Sequence, residues 1–126
     1  MKNPYLILVA DRNPRIRDFI QRELKSDGHR VFTVENYDQM KNWITRPGQL
    51  DILVIDPNMS GLDDHTQLES ILLGRPALSV IFHCMASDYL DLSADERKVL
   101  FVEKSGQSVE LLKQRIGMLF DTALIQ

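Results

Sequence analysis

The chain has a single cysteine, Cys84, among 126 residues. An internal disulfide is therefore excluded, and the three histidines, His29, His65 and His83, stand at no Cys/His spacing that suits zinc. Long hydrophobic runs are lacking too. The longest, such as Tyr5 to Ala10 and Leu78 to Phe82, fall far below the roughly 20 residues that a membrane helix needs, and no signal-peptide pattern opens the sequence. There is no basic excess: 15 Lys and Arg stand against 18 Asp and Glu, for a formal net charge of -3, and the cations are scattered. Such a chain has no general field to attract nucleic acid. Repeats and low-complexity tracts are also missing. These absences leave a soluble, cytoplasmic protein that contacts neither DNA nor a membrane as the expectation. At 44% hydrophobic and 26% charged, the composition suits one compact domain. Its core is expected over about residues 5–120, with Thr122 to Gln126 read as a cut linker toward a further domain.

What is present is an alternation of short apolar runs with amphipathic segments. Tyr5 to Ala10 predicts a strand, after which Asn13 caps a helix that starts at Pro14, where proline's missing N–H costs nothing. Ile16, Phe19, Ile20 and Leu24 give that helix an apolar face, and Gly28 is placed to stop it. Val31 to Val34 predicts a second strand, Tyr37 to Ile44 a helix with Met40 and Trp43, and Arg46-Pro47-Gly48 a turn. Ile52 to Ile55 predicts a third strand, followed by a loop from Asp56 to Asp64. Leu68, Ile71 and Leu72 mark the next helix, which ends at Gly74-Arg75-Pro76. Leu78 to Phe82 predicts a fourth strand and Val99 to Val102 a fifth; Ala86 to Lys98, between them, reads as a short or irregular helix. Ser108 is expected as the N-cap of a last helix carrying Val109, Leu112, Ile116 and Leu119. Alternation at these lengths predicts a parallel sheet with right-handed crossovers and helices on both faces.

Three of the strands end on charge: Asp11, Asp56 and the pair Glu103-Lys104. In an open parallel sheet the carboxyl ends of the strands form the crevice where ligands bind, so two carboxylates and an ammonium are expected to converge there. Asp56 heads a loop that already holds Asp63 and Asp64 as caps for the next helix, which frees it for chemistry. A nucleotide or flavin enzyme on such a sheet needs glycine for close backbone approach after the first strand, and Asp11-Arg12-Asn13-Pro14 supplies none. A hydrolase with Asp11 as nucleophile would want an acid where Asn13 stands. His83 reads as a packed or surface imidazole, and Trp43 as packing.

The run Ile7-Leu8-Val9-Ala10-Asp11-Arg12-Asn13-Pro14, the run Val54-Ile55-Asp56-Pro57-Asn58-Met59-Ser60-Gly61 and the run Phe101-Val102-Glu103-Lys104 resemble, in order and spacing, the receiver domain of bacterial two-component response regulators. The resemblance spans about Tyr5 to Leu119. It implies a flavodoxin-like, doubly wound five-stranded parallel sheet of order 2-1-3-4-5, and a signalling module in a phosphorelay rather than an enzyme. It implies that Asp56 accepts a phosphoryl group from a sensor histidine kinase or phosphotransfer protein. Asp11, Asp56 and the Asn58 backbone carbonyl would hold Mg²⁺, Lys104 would pair with the acceptor and then with the phosphoryl oxygens, and Phe101 would change rotamer on activation. An output domain or partner protein would dock on the face of the fourth helix, fifth strand and last helix; a homodimer is left open.

The departures bear on mechanism. Arg12 stands where the family has a second acid that binds Mg²⁺ directly, and a guanidinium cannot ligate a hard cation. Asp11, Asp56, Arg12 and Lys104 leave the crevice formally neutral, so impaired Mg²⁺ binding is expected. Two placements of Arg12 stay open: a bidentate pair with Asp56 in the metal's place, or an outward swing into solvent. Cys84 stands where a Ser or Thr hydroxyl usually meets the phosphoryl group, and Met85 where a small residue usually leaves the acceptor open. Ser60, Asp64 and Ser105 replace a usual proline, glycine and proline. A phosphorylation-independent pseudo-receiver, acting as a protein-interaction module, is the alternative.

Overall fold

A computed structural model describes residues 4–90 and 99–125, with side chains through residue 119. In chain order the elements are β1 (Leu6–Ala10), α1 (Pro14–Ser26), β2 (Arg30–Val34), α2 (Tyr37–Thr45), β3 (Ile52–Ile55), α3 (His65–Leu72), β4 (Ser79–Cys84), β5 (Val99–Glu103) and α4 (Ser108–Ile125), with a 3-10 turn at Ala86–Asp88 after β4. The five strands are parallel and ordered β2-β1-β3-β4-β5. The predicted sheet order therefore holds. The predicted irregular helix is a 3-10 turn at Ala86–Asp88, with Tyr89 and Leu90 non-helical after it, while 91–98 lies outside the described residues, and with it part of the expected docking face.

Alternate side chains along each strand feed two cores, as a sheet covered on both faces requires. Leu8, Ala10, Leu53, Ile55, Val80, Phe82 and Cys84 pack under α2 and α3. Ile7, Val9, Ile52, Val54, Ile81 and Val102 pack under α1 and α4. Local signals set the element ends. The Asn13 side chain accepts the backbone N–H groups of Arg15 and Ile16, and Gly28, at φ +94°, turns the chain out of α1.

Two boundaries differ from expectation in ways that shape the site. β4 continues past Phe82 because its ladder with β5 carries on through His83↔Val102 and Cys84↔Glu103. Ser108 is the first residue of α4, not its cap: its hydroxyl donates to the Ser105 carbonyl at 2.9 Å and lies 2.8 Å from His83 Nε2.

Arg75, which the sequence offered only as part of a helix stop, ties the opposite end of the sheet. Its guanidinium donates to the carbonyls of Ile44 (2.8 Å), Gly48 (2.6 Å) and Arg46, covering the end of α2 and the turn behind it. A charged donor meeting several carbonyls stabilises by about 2 kcal/mol. Arg75→Ala should lower the unfolding free energy by about that much, read as a shifted urea midpoint with unchanged slope.

Candidate functional site

Asp11 and Asp56 follow neighbouring parallel strands, so the sheet brings their side chains together at its carboxyl edge. Backbone bonds fix both residues: Asp11 N–H donates to the Val34 carbonyl (3.1 Å) and Asp56 N–H to the Ala10 carbonyl (2.9 Å). Both are buried, with 2% and 6% of their surface exposed. One oxygen of each carboxylate accepts a backbone N–H two residues on, Asn13 to Asp11 Oδ1 at 2.9 Å and Asn58 to Asp56 Oδ1 at 2.8 Å.

Lys104 takes the other oxygens. Its backbone N–H extends the β4 ladder by donating to the Cys84 carbonyl (3.0 Å), and its Nζ reaches Asp56 Oδ2 at 2.5 Å and Asp11 Oδ2 at 2.9 Å. Burial works against the ammonium, but the bonds and charges of Asp56 and Asp11 outweigh it and hold the Lys104 pKa above its ordinary value. The predicted convergence of Asp11, Asp56 and Lys104 is thus realised.

Arg12 is exposed, and among the described residues it makes no ion pair. Of its two open placements, the outward one is found; Lys104, not Arg12, meets Asp56. The three inward groups carry one net negative charge. Asn58 is exposed on the loop after Asp56, Met85 is half exposed at the end of β4, and Phe101 is partly buried. The Phe101 ring lies 4.9 Å from that of Tyr89, which meets Phe82 edge-on at 5.3 Å. Cys84 is fully buried, and burial together with the Asp56 charge pushes its thiol up to about 12. It is therefore a neutral thiol, without the thiolate that redox chemistry requires.

Among the described residues no three His, Cys, Asp or Glu side chains gather closely enough to hold a metal ion. Both carboxylates face Lys104.

Two features were not foreseen. Arg17 Nη1 donates to the Asp11 carbonyl at 2.7 Å, reaching back over the start of α1. His83, 2% exposed, joins Ser108 and Ser105 beneath the Lys104 loop, and its Nδ1 has no hydrogen-bond partner among the described residues. Burial first, and the Lys104 charge second, hold this imidazole down to about 4. Trp43, read as packing, lies 4.9 Å from Phe32 with the two rings tilted by 35°, and the Arg46 guanidinium sits above it.

No protein-family model matches the chain, and no curated protein matches it in sequence. Solved structures do. The response regulator TrrA of Thermotoga maritima, in complex with Mg²⁺-BeF, is 26% identical with a TM-score of 0.74, covering 91% of this chain and 98% of that one. TrrA in complex with the histidine kinase ThkA gives 25% identity and a TM-score of 0.71 over 91% and 97% of the two chains. A CheY-like response regulator receiver domain from Methanospirillum hungatei is 14% identical with a TM-score of 0.77, over 96% and 98%. The chain thus has the CheY-like, flavodoxin-like fold, and its structural neighbours are response regulator receiver domains. Among the described residues no helix is long and apolar enough to cross a membrane.

Proposed function

We propose that the chain is a receiver module of a phosphorelay, in the cytoplasm, that accepts a phosphoryl group on Asp56 from a phosphohistidine of a sensor kinase or phosphotransfer protein and binds Mg²⁺ weakly. The observation that carries this reading is the position of Lys104 Nζ, 2.5 Å from Asp56 Oδ2 and 2.9 Å from Asp11 Oδ2, with Arg12 outside. The likeness to TrrA, seen with Mg²⁺-BeF and with a histidine kinase, supports it.

In the step itself an Asp56 carboxylate oxygen attacks phosphorus, the P–N bond of the donor breaks, and the imidazole leaves with the bonding pair. An acyl phosphate remains. Catalysis of such a transfer is mostly positioning and charge compensation. Here Asn58 N–H and Lys104 Nζ orient the nucleophile, and Lys104 stays beside the oxygens that gain charge. The module is a signalling switch, not a turnover enzyme, and its partner would be the kinase on one side and an output domain or protein on the other.

Incubation with phosphoramidate and Mg²⁺ should add one phosphoryl mass to the wild type and none to Asp56→Asn. In the same series Arg12→Asp should tighten Mg²⁺ binding by about tenfold, because cation affinity follows the count of ligand charges. The pseudo-receiver is the second reading, favoured by one observation: both carboxylates already hold an internal cation. Failure of the wild type to take up phosphate from any donor would select it.

A further inference from the structure

We propose that His83 and Ser108 are positioning residues that hold the 104–108 loop, and through it the Lys104 ammonium, in register with Asp56; this rests on the phosphoacceptor reading of Asp56. The loop is exposed and held by hydrogen bonds, among them Gln107 N–H to Ser105 Oγ and Ser108 N–H to the Ser105 carbonyl, both at 3.2 Å, to which the Ser108 hydroxyl adds a link to the sheet. Ser105, Gly106 and Gln107 are exposed, and between the loop and α1 lies a cavity of about 340 Å³ whose walls include Ile16, Phe19 and Val109. Above Lys104 the chain is secured by the ladder bond to the Cys84 carbonyl. Below it, two contacts meet at the hydroxyl of Ser108, the first residue of α4: His83 Nε2 at 2.8 Å and the Ser105 carbonyl at 2.9 Å.

The proton order follows from valence. A carbonyl only accepts, so the single Ser108 proton goes to Ser105, and His83 must donate its Nε2 proton to Ser108 Oγ. His83 is therefore the Nε2–H tautomer, and its Nδ1 is a bare acceptor without a partner among the described residues. Both His83 and Ser108 are buried, with 2% and 3% of their surface exposed, at the wall of that cavity. A bond between buried partners fixes geometry more firmly than one in water. The carbonyl it holds belongs to the residue next to Lys104, so slack in the relay passes directly into the lysine backbone. Displacement of about 1 Å at a reacting centre is enough to cost a large part of the rate.

Ser108→Ala and His83→Leu should each slow single-turnover phosphorylation of Asp56 by phosphoramidate about tenfold, and the double variant should be no slower than the worse single. Ser108→Thr, which keeps the hydroxyl, should restore the rate to within about twofold. Arg75→Ala, destabilised at the far end of the sheet, should phosphorylate at the wild-type rate, separating positioning from stability. A readout that needs no phosphorylation is the acetylation rate of Lys104 relative to the other lysines, followed by mass spectrometry on the native protein. It should rise several-fold in Ser108→Ala and not in Ser108→Thr. Wild-type acetylation of Lys104 in Ser108→Ala would overturn the proposal, as would a wild-type phosphorylation rate in that variant. If the wild type takes no phosphoryl group, the phosphoacceptor reading falls, while the acetylation result still decides whether the relay places Lys104.

Discussion

Lys104→Met should lower the unfolding free energy by about 3 kcal/mol at pH 7.5, because it strands two neighbouring carboxylates in a site almost closed to water. Lys104 is the one cation within bonding distance of both Asp11 and Asp56 among the described residues. Methionine fills much of the same volume, so the loss reports charge rather than a cavity. A further result belongs to this prediction. Lys104→Met combined with Asp56→Asn should be more stable than Lys104→Met alone, a coupling that a double-mutant cycle reads directly. Urea titrations with unchanged slopes check both. A fully additive cycle would show that the short contact contributes nothing.

The second large effect lies on the acid side and belongs to His83. Its imidazole is held at about 4 in the folded chain, against about 6.5 when unfolded. Between those values the unfolded chain binds the extra proton and the folded chain does not. Stability is therefore complete above about 6.5 and drains away as pH falls toward about 4, after which this residue takes no more. The loss amounts to roughly 2 kcal/mol at pH 5 and roughly 3 kcal/mol once the window has been crossed. Chemical denaturation between pH 7.5 and pH 4.5 should show that slope in the wild type. His83→Gln should flatten it, leaving only the contribution of the carboxylates; an identical slope in both proteins would mean that His83 is protonated in the folded state.

Much of the site was legible because the rule behind it is topological. Once Tyr5–Ala10, Ile52–Ile55 and Val99–Val102 are taken as parallel strands, their carboxyl ends must share an edge, and Asp11, Asp56 and Lys104 follow. The first helix was equally plain, since Asn13 and Pro14 act within one turn. What escaped was long-range or conformational. His83 and Ser108 are 25 residues apart, and Arg75 bonds a carbonyl 31 residues away; no local pattern announces such pairs. β4 was cut short because His83 and Cys84 end the apolar run, whereas the ladder with β5 continues through them regardless of side chain. The direction of Arg12 was open because residue type does not choose a rotamer, and Lys104, arriving from the far end of the chain, had already taken the acids.

The loop that follows Asp56 has a mechanical character that its sequence conceals. Gly61, at φ +89°, faces the Tyr37 Cβ so closely that an added Cβ would sit 3.1 Å away, and Tyr37 N–H donates to the Ser60 carbonyl at 2.9 Å. A side chain at 61 would meet both a strained backbone and the root of α2. The loop after Asp56 is consequently pinned to the first turn of α2, by a backbone bond at Ser60 and a close approach at Gly61, while its start is pinned to the Asp56 carboxylate by Asn58 N–H.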